Sequence, residues 1–342
     1  MLTRPTTKDL AEAAGVSLAT VDRVLNDRPN VSARARQRVN NAIDALGFVR
    51  NLAAVNLARN KIYRFRFILP EKGDEYVNEI ARNVEVTNRS LKSDLALAEA
   101  VRVPMHDPHG VANYLGALSG DEVDGVAVMA PESPQVRDAM ARLHERGIHC
   151  VQFLAGQDRL QDLDFIGIDN SAAGATAARL IGRFLNGSSG KVMVIAETMQ
   201  SHDSLERRLG FDALLSERFK NLTALPSLET YGDEARAGRI ISRQFTHHKD
   251  IVAVYVLSSE PRISVEQVGK ITDLQELTLV AHERTPFSEK ALKEEMIDAI
   301  IAQNPGHAVR STLRILRARS EYRTPVSDQE NIRIEILLPE NL

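Results

Sequence analysis

The residues best suited to chemistry lie near the start of the chain, where small polar side chains recur among apolar ones. Arg23 could hold the O6 and N7 atoms of a guanine base with its two-pronged guanidinium group. Small hydroxyl and amide side chains can contact phosphates, which position a protein on DNA without reading its sequence. Because such side chains are also good helix caps, both roles stay open at each of them. These candidates are Thr6, Ser17, Thr20, Asn26 and Ser32.

The basic residues are concentrated in the same part of the chain. Residues 1–60 carry nine Lys or Arg side chains and five Asp or Glu, whereas the whole chain has a formal net charge of −3. The first 60 residues are therefore net positive, and the rest of the chain is net negative. A basic segment ahead of an acidic body favours a local module that binds a polyanion, although charge alone leaves a chance fluctuation open.

The composition argues against several classes of protein. A chain of 342 residues suggests two or three domains with a sizeable core. No apolar run reaches the roughly 18 residues of a membrane span, and residues 1–10 lack a signal-peptide core, so we expect a cytoplasmic protein without a membrane partner. The single Cys150 excludes an internal disulfide and a cysteine-based metal site. No other ligand set is evident, so we expect no metal and no cofactor.

Three short helices are predicted in residues 1–50 from their capping residues and from the glycine or turn that follows each. They cover residues 8–14, 18–26 and 33–46, and their caps are Thr6 or Thr7, Ser17 and Ser32. Apolar residues at helical spacing predict a shared core of Leu10, Ala14, Val21, Val24, Leu25, Val39, Ile43 and Leu46. So small a core is marginal, and we expect the domain to depend on a partner or on DNA.

From residue 63 onward, short apolar runs alternate with amphipathic stretches. This order predicts parallel, doubly wound sheets, and the strands are too many for one small sheet, so we expect two lobes. The predicted strands are residues 65–69, 125–129, 150–153, 165–168, 191–195, 251–256, 277–281 and 333–338. The predicted helices are residues 76–92, 109–118, 133–146, 172–185, 205–218, 233–246 and 288–295.

Two segments, TTKDLAEAAGVSLATVDRVLN from Thr6 to Asn26 and VSARARQRVNNAIDALGFVRN from Val31 to Asn51, resemble the headpiece of the lac repressor family. The match runs without gaps over Thr6–Asn26 and Val31–Asn51, and it includes the turn AAGVS and the helix TV-x-RVLN. Looser landmarks follow in DEVDGVAVMAP, FIGIDNSAAGATAARLIGRF, ERRLGF, VAHERTPFSEKAL and AIIAQNPGHAVRSTLRIL. The resemblance implies an all-α helix-turn-helix headpiece followed by a periplasmic-binding-protein-like α/β domain, whose two lobes are joined by three crossovers.

The resemblance also implies domain bounds and a function. The headpiece would span residues 1–50, a hinge helix 51–62, and an effector-binding and dimerisation domain 63–342. One lobe would comprise about 63–167 and 303–325, and the other about 168–302 and 326–342. The implied function is a transcription regulator, expected to be a repressor, that binds palindromic double-stranded operator DNA as a homodimer or a dimer of dimers. A small metabolite, such as a sugar or polyol, would control that binding.

In the family, the first residues of the second helix face base edges in the major groove. The base-reading positions match Leu18, Ala19 and Arg23 here. Leu18 and Ala19 offer no hydrogen bond, so they could only pack against thymine methyl groups or exclude other bases. Asp22 departs from the serine expected at its position. Two roles stay open for its carboxylate, which could accept a hydrogen bond from a cytosine amine or pair with Arg23.

The linker supplies a second implied contact with DNA. In the family, two linker helices pair over the minor groove, and a leucine from each helix opens a base step. Leu57 matches the position of that leucine. Asn51 and the small Ala54 belong to the same implied interface. Packing of Leu57 on its own sensor domain is the alternative. Arg50 replaces the usual proline before the linker, which loosens the start of the helix.

The effector site implied by the resemblance contains Arg207, Glu283 and Gln303. Arginine donates hydrogen bonds, glutamate accepts them and glutamine does both, which suits a sugar or polyol. Each residue also has a structural alternative. Arg207 could lie on a solvated helix face, Glu283 could be a surface acid, and Gln303 could cap the end of a strand. The chain departs from the family at Leu205 and at residues 153–155 and 258–260. Asn170, His202 and Asp203 could compensate for the polar side chains that the family has at those positions. Two interpretations stay open, a ligand other than a sugar or weak sensing.

An enzyme and a periplasmic-type solute-binding protein are the alternative functions. No Walker, G-x-G-x-x-G or G-x-S-x-G motif is present, so we predict no catalytic residues. A transport-linked binding protein would share the body of the chain but would need a signal peptide and no DNA-binding head. Salt-sensitive binding to DNA distinguishes the regulator from both.

Overall fold

The computed structural model describes residues 5–25, 29–48, 61–71, 74–91, 95–105, 107–157, 160, 162–325 and 330–342. The chain divides into two compact units, Met1–Lys61 and Ile62–Leu342. Asn26 and the linker positions Asn51, Ala54 and Leu57 lie outside the described residues, so their roles stay predictions from the sequence. Within the described ranges, no helix is long and apolar enough to cross a membrane.

The first unit contains three helices, α1 (Thr7–Ala14), α2 (Leu18–Leu25) and α3 (Ala33–Leu46). The caps form as the sequence predicts. The hydroxyl oxygens of Thr6, Ser17 and Ser32 accept hydrogen bonds from the backbone N–H groups of Asp9, Thr20 and Ala35, at 3.3, 3.2 and 3.2 Å. Gly15 and Gly47 follow α1 and α3 with φ of 59° and 58°, the left-handed conformation that ends a helix without a Cβ clash.

The core of the first unit is centred on Leu10, Val21 and Val39, which are fully buried. The prediction was wrong at Leu46, which is 37 % exposed, while the unpredicted Phe48 is only 9 % exposed. The left-handed turn at Gly47 explains the difference, because it reverses the chain after α3. The Phe48 N–H then donates to the Ile43 carbonyl at 3.0 Å, and the Phe48 ring packs into the core that Leu46 leaves.

The second unit begins with a five-stranded parallel sheet of strand order β2-β1-β3-β4-β5. Its strands are β1 (Tyr63–Pro70), β2 (Ala96–Val103), β3 (Gly125–Val128), β4 (His149–Phe153) and β5 (Asp164–Ile166). The helices in this part of the chain are α4 (Glu75–Leu91), α5 (Pro108–Ala117) and α6 (Pro134–Ala141). The single helix predicted over residues 133–146 was wrong, because a 3₁₀ segment, Arg142–Arg146, follows α6.

The second sheet has the order β12-β11-β10-β9-β6-β7, and β8 also pairs with β6. All neighbours are parallel except the edge strand β12, which runs antiparallel to β11. Its strands are β6 (Gly190–Ala196), β7 (Leu222–Ala224), β8 (Leu228–Glu229), β9 (Ile251–Val256), β10 (Thr278–His282), β11 (Ala299–Ala302) and β12 (Glu335–Leu337). The helices are α7 (Asn170–Phe184), α8 (His202–Arg218), α9 (Glu234–His247), α10 (Arg262–Gly269) and α11 (Pro286–Lys293). Short 3₁₀ turns lie at Leu274–Glu276 and Pro339–Asn341.

The chain crosses between the two sheets three times. It leaves the first sheet after β5, returns after β11 and crosses back before β12. The second crossing leads into α12 (Pro305–Ser320), which packs against α4 and the strands of the first sheet. Asn170 and Gln303 lie on the first two crossings, which places two predicted site residues at the junction of the lobes.

Candidate functional site

The exposed face of α2 carries the residues predicted to read bases. Val21 and Val24 are buried and fix the orientation of the helix, because positions three residues apart share one face. Leu18, Ala19 and Arg23 are exposed, and the Leu18 side chain is 48 % exposed. This short helix therefore exposes both an apolar side chain, Leu18, and a hydrogen-bonding one, Arg23.

The hydroxyl groups of Thr6, Ser17 and Ser32 cap helices in the first unit. Ser17 and Thr20 are hydrogen-bonded to each other, with 2.9 Å between their hydroxyl oxygens. The Thr6 hydroxyl donates to Asp9 Oδ2 at 2.8 Å, and the Thr6 backbone N–H donates to the same oxygen at 2.7 Å. These bonds from Thr6 lower the pKa of the Asp9 carboxyl. A carboxylate beside Thr6 disfavours a phosphate there, so the geometry favours the capping role at Thr6. Ser32 caps α3 and is exposed.

The four predicted effector residues form one buried network at the lobe junction. Arg207 Nε donates to Asn170 Oδ1 at 2.9 Å, and Arg207 Nη2 donates to Glu283 Oε1 at 3.1 Å. Gln303 Nε2 donates to the same Glu283 oxygen at 3.2 Å. Arg207 Nη1 also donates to the Leu257 carbonyl at 2.9 Å. None of the four side chains is more than 5 % exposed, which rules out the solvated-helix and surface-acid alternatives for Arg207 and Glu283.

Close helix packing positions the Arg207 side chain. A Cβ atom on Gly174 of α7 would overlap the Arg207 backbone, and one on Gly210 of α8 would overlap the Ser171 backbone. Only glycine therefore allows α7 and α8 to approach this closely. The approach brings the Arg207 side chain beside Asn170, the first residue of α7.

Glu283 is held at the end of β10 in a left-handed conformation, with φ of 63°. Its backbone N–H donates to the Ile301 carbonyl at 2.9 Å, and its own carbonyl accepts from Ser288 Oγ at 2.8 Å. Burial raises the pKa of the Glu283 carboxyl, and the charge of Arg207 and the hydrogen bonds from Gln303 oppose that rise. Burial alone would lower the pKa of Arg207. The negative charges of Glu283 and Asp203 outweigh the effect of burial, so the Arg207 pKa is raised. The pair is therefore an ion pair whose two members depend on each other.

Three polar atoms around the network have no hydrogen-bond partner in the part of the chain that the structure describes. They are Tyr76 Oη, Gln303 Oε1 and His282 Nδ1. The Tyr76 pKa is raised well above its usual value, first by burial and then by the charge of Glu283, with Arg207 opposing. His282 Nε2 lies 2.8 Å from Tyr255 Oη, and burial lowers the His282 pKa far enough to keep the ring neutral.

Side chains from the two lobes also meet above this network. Arg262, at the start of α10, pairs with Glu75 at the start of α4, and Ser259 Oγ donates to Asp74. The Phe287 backbone N–H donates to Glu75 Oε2 at 3.2 Å. Sequence reasoning missed these residues. The available signal was their position in the loops and helix starts that follow predicted strands, since the carboxyl ends of parallel strands meet at one edge of a sheet.

A cavity of about 540 Å³ lies beside the junction. Gln152, Gln157 and Leu160 line it from the first lobe, and Asn170, His202 and Glu206 line it from the second. The His202 ring nitrogens lie 3.5 Å from Glu132 Oε2 and 3.2 Å from Glu206 Oε1. No group of three or more His, Cys, Asp or Glu side chains within the described ranges is arranged to hold a metal ion.

Comparison with known families gives two matches on this chain. A model described as bacterial regulatory proteins of the lacI family matches residues 6–51. A model described as a periplasmic binding protein domain matches residues 65–322, well over half of the chain.

Two curated relatives match parts of this chain. The HTH-type transcriptional regulator DegA of Bacillus subtilis is 26 % identical over 178 residues, which are 52 % of this chain and 51 % of DegA. Catabolite control protein A of Priestia megaterium is 33 % identical over 122 residues, which are 36 % of each chain. The chain therefore matches about half, or less, of the length of these relatives.

Solved structures share the fold of the second unit. A periplasmic solute-binding protein of an ABC transporter from Actinobacillus succinogenes, with bound D-allose, superposes with a TM-score of 0.73 at 13 % identity. The match covers 82 % of this chain and 98 % of that protein. At so low an identity the likeness establishes the two-lobed fold and nothing about the ligand.

Proposed function

The chain belongs to the lacI family of bacterial regulatory proteins and carries a periplasmic binding protein domain, and from this membership we propose that it is a DNA-binding transcription regulator. Its place of action would be the cytoplasm, and its partner would be double-stranded operator DNA. The observation that carries the proposal is the exposed face of α2, where Leu18, Ala19 and Arg23 project from a helix held by Val21 and Val24. A second helix of this kind enters the major groove with its first residues toward the bases.

The small size of the headpiece supports binding as a pair. Its core has only eight buried residues among those described, and one short helix offers few base contacts. We therefore propose a homodimer or a dimer of dimers on a palindromic operator, since two-fold proteins match two-fold sites. The predicted hinge helix, residues 51–62, would complete the interface through Asn51, Ala54 and Leu57.

The second unit would act as the sensor. We propose one lobe of residues 63–167 with 303–325 and another of residues 168–302 with 326–342. The network of Arg207, Glu283, Gln303 and Asn170 supports an effector site, because it lies where the chain crosses between sheets. It also leaves Gln303 Oε1 without a partner among the described residues. An effector that binds one arrangement of the lobes more tightly would shift their equilibrium and thereby the affinity for operator DNA.

The test begins with selection of bound sequences from random duplex DNA by the full chain. Fluorescence anisotropy then measures the affinity for the selected operator and for scrambled DNA, each over a range of salt concentration. A regulator should prefer the operator by at least about 10³-fold at physiological salt and lose affinity steeply with salt. Equal binding to both DNAs, or no binding, would contradict the proposal. Sedimentation of the same sample at micromolar concentration checks the dimer, and a monomer alone would exclude it.

A further inference from the structure

Two consecutive carboxylates of the first lobe lie at the start of α4. Asp74 Oδ1 accepts a hydrogen bond from the Val77 backbone N–H at 2.8 Å, as an N-cap residue does at the start of a helix. Glu75, the next residue, is the first of α4. The cap fixes the backbone at both residues, and it leaves Asp74 Oδ2 and both carboxylate oxygens of Glu75 for other contacts.

The second lobe donates to all three of these oxygens. Ser259 Oγ donates to Asp74 Oδ2, and the Arg262 guanidinium group pairs with Glu75 Oε1. The Phe287 backbone N–H donates to Glu75 Oε2 at 3.2 Å. We call these five residues the clasp. Its bonds join residues that are 185 to 212 apart in the sequence, so the clasp forms only when the lobes meet.

The second lobe orients the donors of the clasp through its own contacts. The Arg262 guanidinium carbon lies 5.5 Å from the centroid of the Phe287 ring, and the Arg262 backbone N–H donates to Glu260 Oε1 at 3.1 Å. Phe287 is the second residue of α11, and the first N–H groups of a helix have no acceptor within it. Glu75 supplies that acceptor, and the positive end of the helix dipole favours its negative charge.

The lobes also meet at His202 and Glu132, where 3.5 Å separates His202 Nδ1 from Glu132 Oε2. This distance is longer than that of a good hydrogen bond. The clasp is therefore the closer of these two attachments between the lobes.

In a two-lobed sensor, a ligand ordinarily favours closure because it bonds with both lobes at once. The clasp makes such bonds from the protein's own groups, and each of them is charge-assisted because a carboxylate accepts it. We propose that the clasp holds the two lobes closed in the absence of any effector, so that an effector meets a protein that is already closed.

The test measures the distance between the lobes in the full chain by pulsed electron–electron double resonance. Spin labels are attached at Gln135→Cys on α6 and at Lys290→Cys on α11, two exposed positions in different lobes. Cys150, the single native cysteine, is buried and should stay unlabelled. Unfolding in guanidinium chloride and refolding first removes any metabolite carried over from the cells. Without added ligand, the wild type should then show mainly the short distance of the closed arrangement.

Variants on both sides of the clasp should open the lobes. Glu75→Ala and Arg262→Gln should each lower the ratio of closed to open molecules about fivefold, the effect of losing one partly exposed ion pair. The double variant should lower it no further than Glu75→Ala alone, because the two residues act through each other. Glu79→Gln is the matched control, since Glu79 lies on the same helix and pairs with Arg82 inside the first lobe. Its distance distribution should match that of the wild type.

Circular dichroism checks that each variant is folded. The two single substitutions lie in different lobes, so if one variant fails to fold, the other still tests the clasp. Mainly open lobes in the ligand-free wild type would overturn the proposal, as would a wild-type closed fraction in the folded variants. A double variant in which the two losses multiply would also overturn it, since Glu75 and Arg262 would then act separately.

This proposal rests on the proposed function for its regulatory meaning alone, because lobe closure is measured without DNA. If closure sets operator affinity, Glu75→Ala should change the affinity for the selected operator, and Glu79→Gln should not. Open lobes in Glu75→Ala with unchanged operator affinity would support the clasp and contradict the proposed link between the lobes and DNA. Closed lobes in every variant would overturn the clasp and leave the regulator intact.

Discussion

Arg207 Nη2 and Glu283 Oε1 are 3.1 Å apart at the lobe junction, and both side chains are at least 97 % buried, with exposed fractions of 3 % and 1 %. Arg207 comes from α8 and Glu283 from the end of β10, so the pair joins two elements that are 76 residues apart in sequence. A buried ion pair is costly to break, because removing one partner leaves the other charge without solvent or a counter-charge. A change at this site that breaks the pair should therefore also lower the stability of this lobe.

Glu283→Ala should destabilise the second unit by about 3–5 kcal/mol, because it leaves the Arg207 charge buried and unpaired. Urea unfolding of the full chain, followed by circular dichroism, measures the effect. Glu294→Ala removes the exposed Lys290–Glu294 pair and should cost less than about 1 kcal/mol. The double variant Arg207→Met with Glu283→Leu should recover much of the lost stability. If it does not, the loss reflects packing rather than an unpaired charge.

Gly174→Ala should separate α7 from α8, because the added methyl group meets the Arg207 backbone. Overpacking of this kind costs about 1–3 kcal/mol and should shift the Arg207 guanidinium away from Asn170. Gly116→Ala, inside α5 with open space around it, is the matched control and should be neutral or stabilising. Thermal unfolding of both variants compares them, and equal melting temperatures would show that the helices can adjust.

Arg23→Ala should weaken operator binding by about 1–3 kcal/mol and relax specificity at one base pair, as loss of a bidentate guanine contact does. Anisotropy titrations against the operator and its single-base variants measure both effects. Arg183→Ala, on an exposed position of α7, removes the same charge from the second unit and should change neither. An equal loss on operator and random DNA would instead assign Arg23 to phosphate contact.

Leu57→Ala should weaken operator binding and reduce operator bending while leaving effector binding unchanged. A leucine wedge stabilises an opened base step, whose unstacking costs a few kcal/mol, and alanine is too short to fill it. Gel-shift assays on circularly permuted operator fragments report the bend at fixed salt. Non-specific binding should persist, because it depends on phosphates. Wild-type affinity and bending in this variant would favour packing of Leu57 on the sensor domain.

Glu197→Gln should stabilise the effector-free protein near pH 7. The folded-state pKa of Glu197 lies above its ordinary value of 4.5, so its ionisation favours the unfolded state as the pH rises through that range. The advantage of Gln should therefore be absent below pH 4.5, where both states of the wild type are protonated, and should appear above the raised pKa. Urea midpoints at pH 4 and pH 7 test this. A variant less stable than the wild type at pH 7 would mean that the Glu197 charge is compensated.

The sequence by itself determined the headpiece. Its helices end and begin at local signals, such as Gly15 after α1 and Ser32 before α3, which act through neighbouring backbone atoms and need no distant contact. The alternation of apolar runs with amphipathic helices likewise determined the α/β class of the second unit. The sequence pattern did not reveal β2, β7, β8, β11, α10 or α12. An edge strand carrying Glu99 and Arg102 lacks the continuous apolar run of a buried strand, and a four-residue run is ambiguous by itself.

Tertiary structure alone decided how the site is assembled. Resemblance pointed to Arg207, Glu283 and Gln303 one at a time, but only the fold joins them to Asn170 through hydrogen bonds. No sequence signal indicated that Arg262 pairs with Glu75, which is 187 residues away. Nor did the sequence indicate that the Tyr76 hydroxyl is buried with no partner among the residues the structure describes. Helix caps depend on backbone geometry within a few residues, whereas a cleft depends on where separate strands end in space. That placement is set by the packing of the whole chain.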